Sequence, residues 1–140
     1  MTPAPRLLLD THFWIWTWQG ETRRIRPTLA AELNAAAREN RLMVHTISIW
    51  EVGLLVKKRR IALDRPVRQW IDEALHMPGV RVAQLTPEVA MEAALLDAPE
   101  LTDPVDRILV ATAQMLGATL VTLDREIRRF AESGGVRVMG

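Results

Sequence analysis

The sequence predicts an α/β fold, a three-layer sandwich with a mainly parallel central sheet flanked by helices. Three observations predict it. Short apolar runs alternate with longer stretches of helical periodicity, the pattern of strand–helix–strand units. The first run, Leu7–Leu9, is apolar on consecutive residues, as expected of a strand buried on both faces. Two runs end in an acid, Asp10 and Asp124, which suits the carboxyl edge of a parallel sheet. The chain has 140 residues, enough to bury a core without disulfide or metal staples, so a single domain over 1–140 is expected.

The elements follow in order. A strand at Leu7–Leu9 carries Asp10 at its end. Residues 28–40 are alanine-rich, with Leu29, Leu33 and Ala36 near helical spacing, and Leu42–His45 reads as the second strand. Ser48 is expected to cap a helix through Ile49, Val52 and Leu55, with Glu51 at capping-box spacing in its first turn. Pro66 opens a helix through Trp70, Ile71 and Leu75 that ends near Pro78 and Gly79. Residues 80–85 alternate like a strand, and Thr86 with Pro87 starts the next helix. Asp103 and Pro104 start another, with Val105, Leu109, Thr112 and Leu116 on one stripe and Gly117 as its stop. Residues 118–123 read as a strand ending at Asp124. A short helix, a turn at Gly134 and Gly135, and a last strand over 136–139 complete the chain.

Composition removes several function classes. There is no cysteine, which excludes a disulfide scaffold, a thiolate zinc site and a cysteine nucleophile. No run approaches the roughly 20 apolar residues needed to span a bilayer. The first nine residues lack the charged lead and apolar stretch of a signal peptide, so a cytoplasmic location is expected and no membrane partner. The net charge is +1, but arginine dominates the cations, Lys57 and Lys58 being the only lysines. Basic clusters stand at Arg23, Arg24 and Arg26, at Lys57 through Arg60, and at Arg125, Arg128 and Arg129. Singly they read as solvated helix faces and ends.

The chemistry rests on four acids from distant parts of the chain. Asp10 and Asp124 follow strands. Glu51 and Asp106 are placed in helix starts, which face the same edge of the sheet in strand–helix–strand units. Each has a plain alternative as a cap or a partner of a helix dipole. Together they form a cluster that repels itself in low dielectric unless a hard divalent cation neutralises it. Magnesium and manganese prefer such oxygen ligands, activate water and stabilise the transition state of phosphodiester hydrolysis. Thr11, Ser48 and Thr122 are placed to orient the acids or the waters around the cation.

Four strings carry a resemblance. They are Leu7-Leu8-Leu9-Asp10-Thr11-His12, Ser48-Ile49-Trp50-Glu51, Asp103-Pro104-Val105-Asp106-Arg107-Ile108-Leu109-Val110-Ala111-Thr112-Ala113, and Leu120-Val121-Thr122-Leu123-Asp124. In this order and spacing the chain resembles a PIN domain of the VapC toxin type over nearly its whole length. The resemblance implies a magnesium- or manganese-dependent endoribonuclease, usually the toxin half of a toxin–antitoxin pair. It implies a homodimer, an RNA substrate and a small DNA-binding antitoxin as partner. Asp10, Glu51, Asp106 and Asp124 match the acidic site, with Asp10 and Asp106 foremost as metal ligands. Arg59 departs from the glycine that many relatives carry, so the turn there is expected to be strained. Asp103 adds a fifth acid, expected to cap its helix.

His12 is expected to pack or hydrogen-bond locally, and Trp14, Trp16 and Trp18 to fill a core or a contact in preference to stacking on bases. With the helix of residues 48–56, these tryptophans are expected to form one groove for an apolar antitoxin helix, with Lys57 through Arg60 at its rim. A receiver domain would need a lysine after a late strand, and a haloacid-dehalogenase phosphatase would need an acid where His12 stands. The remaining alternative is a non-catalytic PIN-like module that binds RNA or protein.

Overall fold

The computed structural model describes residues 3–140. Five strands, β1 (Leu7–Leu9), β2 (Leu42–His45), β3 (Val80–Ala83), β4 (Thr119–Val121) and β5 (Arg137–Met139), form one sheet in the order β3-β2-β1-β4-β5. Every pairing is parallel, so the expectation of a mainly parallel sheet is met in full. Parallel neighbours need crossovers, and seven helices supply them among the described residues. These are α1 (Thr11–Gln19), α2 (Pro27–Arg38), α3 (Thr46–Lys57), α4 (Val67–Leu75), α5 (Pro87–Leu95), α6 (Pro104–Leu116) and α7 (Arg125–Ala131). No helix among the described residues is long and apolar enough to cross a membrane.

The strands are apolar on consecutive residues because both faces are covered. Leu7, Leu9, Leu42, Val44 and Val121 pack under α1, α2, α3 and α4. Leu8, Met43 and Leu120 point the other way, against α6 and α7. Trp14 and Trp70 meet edge to face in the first layer, centroids 5.1 Å apart. Trp14 is therefore core, with 3% of its surface exposed, and not the wall of a groove.

The chain winds outward from β1 through β2 to β3, then returns to the opposite side of β1 for β4 and β5. The direction of winding reverses between β1 and β4. In open α/β sheets the crevice beyond the carboxyl ends of such a pair is where ligands bind.

Several expected boundaries move, among them that of the strand over 80–85, which ends at Ala83. The strand before Asp124 ends at Val121, because Thr122 Oγ1 accepts the Asp124 N–H at 3.0 Å and bends the chain. The helix carrying Glu51 begins at Thr46, not at Ser48. Its N-cap is His45, whose Nδ1 accepts the Ile47 N–H at 2.9 Å. Ser48 is buried in the helix, and Glu51 stands in the second turn with no capping-box bond.

At the other end of α3 the Arg59 N–H donates to the Val56 carbonyl at 3.0 Å and the Arg60 N–H to the Leu55 carbonyl at 2.9 Å. This is a Schellman closure, which places Arg59 in the left-handed region at φ +57°. Glycine occupies that position without cost, as Gly117 does after α6 at φ +61°. A left-handed non-glycine residue costs about 1–2 kcal/mol, against which the extra freedom of glycine in the unfolded chain weighs about 0.4–1 kcal/mol. Arg59→Gly is therefore expected to raise stability by about 0.5–1 kcal/mol. Denaturant titration should show a higher midpoint with an unchanged slope, and an unchanged or lower midpoint would show that this turn carries no strain.

Candidate active site

Asp10 is the first residue after β1 and the N-cap of α1, its Oδ1 accepting the Phe13 N–H at 2.8 Å. Asp124 plays the same part for α7, accepting the Ile127 N–H at 3.0 Å. Asp103 caps α6 through the N–H groups of Val105 at 2.8 Å and Asp106 at 3.2 Å. Asp106 then falls in the first turn of α6, and Glu51 reaches in from α3. All five acids line one cleft of about 290 Å³ at the point where the winding reverses, together with Thr11, His12, Trp16, Leu109 and Leu123. The cap reading and the site reading of Asp10 and Asp124 thus hold together. A cap uses one carboxylate oxygen, and each group has two.

Of the three expected hydroxyls, only Thr11 lines the cleft. It is buried and hydrogen-bonded to Ser48 Oγ at 2.9 Å, joining α1 to α3 beneath the acids. Ser48 and Thr122 are fully buried below the floor. His12 is exposed at the rim, not packed as expected.

Burial raises the pKa of Asp10, and the Thr122 hydroxyl and the Phe13 N–H offset part of the rise. Burial likewise raises Glu51, offset in part by Thr11. Asp106 is pushed up to about 8, first by burial and then by repulsion from Asp103, Asp124, Glu51 and Asp10. The carboxylates share one low-dielectric space, and their charge calls for protons or a cation. Among the described residues no group of three or more acidic or histidine side chains is gathered so as to hold a metal ion by itself. Magnesium-type cations are commonly held by one or two carboxylates, with waters and phosphate oxygens completing the shell. The acids lining this cleft offer oxygen donors that repel one another, which fits that chemistry.

Two residues that hold the site together carried no sequence signal. His45 is wholly buried, and its Nε2 lies 2.9 Å from Thr112 Oγ1. The Thr112 hydroxyl donates its proton to the Ile108 carbonyl at 2.7 Å, so Nε2 must be the donor. Nδ1 is already an acceptor, which fixes a neutral imidazole, and burial lowers its pKa to about 4. The ring joins α3, bearing Glu51, to α6, bearing Asp106. Arg107, next to Asp106, donates to the carbonyls of Ala93, Leu96, Ala98 and Leu101 at 2.6–2.9 Å. It pins the segment between α5 and α6. A lone histidine after a strand and an arginine after an aspartate announce neither role.

The expected single groove is not formed. Leu54 and Leu55 line a cleft with Trp50, Lys58 and Arg60, while Trp16 lines a separate apolar cleft with Ile25, Pro27 and Leu33. Trp14 and Trp18 line neither and pack on the core.

Residues 7–133 match the family model for the PIN domain. The chain is 37% identical over 122 residues to Ribonuclease VapC22 of Mycobacterium tuberculosis, covering 87% of this chain and 89% of that protein. Among solved structures it resembles VapBC2 from Rickettsia felis bound to a DNA fragment from its promoter, with a TM-score of 0.70, 15% identity, and 95% and 96% of the two chains covered. It also resembles a toxin–antitoxin complex from Klebsiella pneumoniae, with a TM-score of 0.59, 19% identity and 96% of each chain covered. These two likenesses concern the fold.

Two stability measurements test the geometry. A carboxyl whose folded pKa is raised contributes stability that is full below its unfolded value and is lost as pH rises through the folded value. Asp106 acts so up to about 8, and Asp10 and Glu51 have the same sign. His45, lowered to about 4 from 6.5, has the opposite effect, losing stability as pH falls through that interval. Between pH 6.5 and 8 only the acids speak, so the metal-free melting temperature should fall across that window and Asp106→Asn should flatten it. A level wild-type profile would mean that burial and the neighbouring acids do not hold Asp106 protonated. Separately, Arg107→Lys keeps the charge but cannot reach four carbonyls, and should cost about 2 kcal/mol or more in denaturant unfolding. A loss under about 0.5 kcal/mol, the scatter of ordinary surface changes, would show that the fork is dispensable.

Proposed function

Because the chain belongs to the PIN-domain family, on the branch of the VapC ribonucleases, we propose that it is an endoribonuclease, the toxin component of a toxin–antitoxin pair. The observation that carries the reading is the convergence of Asp10, Glu51, Asp106 and Asp124 on one cleft at the reversal of the sheet. A non-catalytic module would gain the helix caps at Asp10, Asp103 and Asp124 but nothing from Glu51 and Asp106 buried beside them. Residues 1–140 act on this reading as one domain. The partners are an RNA substrate, a second copy of the chain and a small antitoxin protein, the last in keeping with the toxin–antitoxin complex that shares the fold.

Asp10 and Asp106 hold a magnesium or manganese ion, with Glu51 and Asp124 completing the acidic set. The bound cation supplies the positive charge that polarises a scissile phosphate and an attacking water. The chain supplies position. Thr122 and the Phe13 N–H favour the ionised form of Asp10 and fix its position, and Thr11 favours that of Glu51. Asp106 retains its proton to about 8 and must release it to bind the cation, so cation affinity tightens as pH rises toward that value.

The test is cleavage of single-stranded RNA in magnesium or manganese with and without chelator. Chelator should abolish cleavage. Asp10→Asn and Asp106→Asn should each lower it by at least about a hundredfold, on the scale of disrupted metal sites. Asparagine caps a helix as well as aspartate, so Asp10→Asn should keep its fold. Undiminished cleavage in chelator would remove the metal from the mechanism, and full activity in both variants would remove the site.

A further inference from the structure

Beside the acidic cleft lies a depression of the opposite character. His12 and Trp16 line both, bordering the carboxylates on one side and meeting Arg24 and Arg60 on the other. Arg60 also lines the cleft that contains Glu51 and Asp103. Aromatic surface and guanidinium groups therefore run directly from the rim of the carboxylates.

The geometry within this depression is specific. Trp16 is half-buried and is anchored on Phe13, edge to face at 5.0 Å. The His12 ring lies 6.0 Å from it. The Arg24 guanidinium stands over the indole at 5.3 Å, held by one bond from Nε to Glu21 at 3.1 Å. The terminal nitrogens of Arg24, the guanidinium of Arg60 and the ring of His12 make no hydrogen bond among the described residues. Trp14 and Trp18, two positions to either side on the same helix, pack on the core and line none of this.

We propose that His12, Trp16, Arg24 and Arg60 form a nucleotide subsite for single-stranded RNA flanking the carboxylate cleft, an inference that rests on the ribonuclease reading above. An indole face stacks on any nucleobase, and planar guanidinium groups bind phosphate through two parallel hydrogen bonds. Arg24 now occupies the indole face as a cation over a π-system. A base takes that place and releases the guanidinium to the adjoining phosphate. The strand must be single, because paired bases cannot leave their stack for the indole. Five carboxylates alone repel a polyanion, and the cations that offset this stand at this rim.

The experiment compares a short labelled oligouridylate with an abasic oligomer of equal length, binding being read by fluorescence anisotropy in chelator, where the proposed reaction is silent. Trp16→Leu should weaken oligouridylate binding by about tenfold and leave the abasic oligomer unchanged. Arg24→Gln combined with Arg60→Gln should weaken both ligands by about tenfold and flatten the salt dependence by about one to two phosphate contacts. In magnesium, both sets should raise KM far more than they lower kcat. Equal losses on the two oligomers for Trp16→Leu would reduce the indole to packing and overturn the proposal. So would unchanged binding in the double arginine variant, or polyglutamate binding as tightly as oligouridylate. If Trp16→Leu does not fold, the two exposed arginines decide alone. A wild-type chain that binds with this pattern but cleaves nothing keeps the subsite and defeats the ribonuclease reading. One that cleaves while the variants bind normally defeats the subsite alone.

Discussion

Parallel pairing of short strands buried on both faces forces every carboxyl end of this sheet to the same edge, and nearly everything at the cleft follows from that geometry. The strands are only three or four residues long, and each of the first four hands its chain to a helix within a few residues. The start of a helix needs hydrogen-bond acceptors for its free N–H groups, and aspartate meets that need well. Asp10, Asp103 and Asp124 are each such a cap. Requirements of local structure thus draw acids toward one edge, and the reversal of winding between β1 and β4 opens a cleft there.

What helix ends favour one at a time, the cleft opposes collectively. An acid near a helix N-terminus is stabilised by the dipole, typically by about 0.3–1 kcal/mol. Burial beside four others acts the other way and is the stronger effect at Asp106, whose pKa reaches about 8 although it stands in a first turn. A fold selected for stability alone would keep the caps and place a neutral residue at Asp106, since Asp103 already satisfies that helix end. The unfavourable carboxylate is the one that packing does not require. That asymmetry sets Asp106 apart from the capping Asp103 within the same turn and supports the role proposed for it.

The parts visible in the sequence were those set by strong local rules. Consecutive apolar residues marked buried strands, Thr86 and Asp103 before prolines marked helix starts, and Gly117 marked a stop. Asp10, Asp106 and Asp124 were legible because strand ends and helix starts place them without reference to tertiary contacts, whereas Glu51, expected in a first turn, stands in the second turn of α3. What escaped depends on partners far away in the chain. Ser48 looked like a cap because its spacing to Glu51 fits a capping box. The actual cap is His45, held by Thr112 sixty-seven residues later. Trp14, Trp16 and Trp18 looked equivalent, yet only Trp16 reaches a cleft, since Trp14 meets Trp70 from α4. The left-handed turn at Arg59 was legible only as a departure from the family pattern, and φ +57° there bears it out.

The charge distribution couples the two ligands of the proposed reaction. The chain is nearly neutral as a whole, at +1, but five acids gather in the cleft while Arg24 and Arg60 stand at its rim. A polyanion approaching the empty acids gains from the rim and loses to the cleft, and the two effects partly cancel. A divalent cation among the acids removes the loss and leaves the gain. RNA and cation therefore assist each other, and linkage requires the assistance to be reciprocal: the factor by which the cation tightens RNA equals the factor by which RNA tightens the cation. On the proposed reading Asp106 adds a third participant, because its proton would leave before a cation enters. Proton, cation and phosphate then compete or cooperate for one charge balance, and the buried neutral link from His45 to Thr112 keeps α3 and α6 in register while that balance changes.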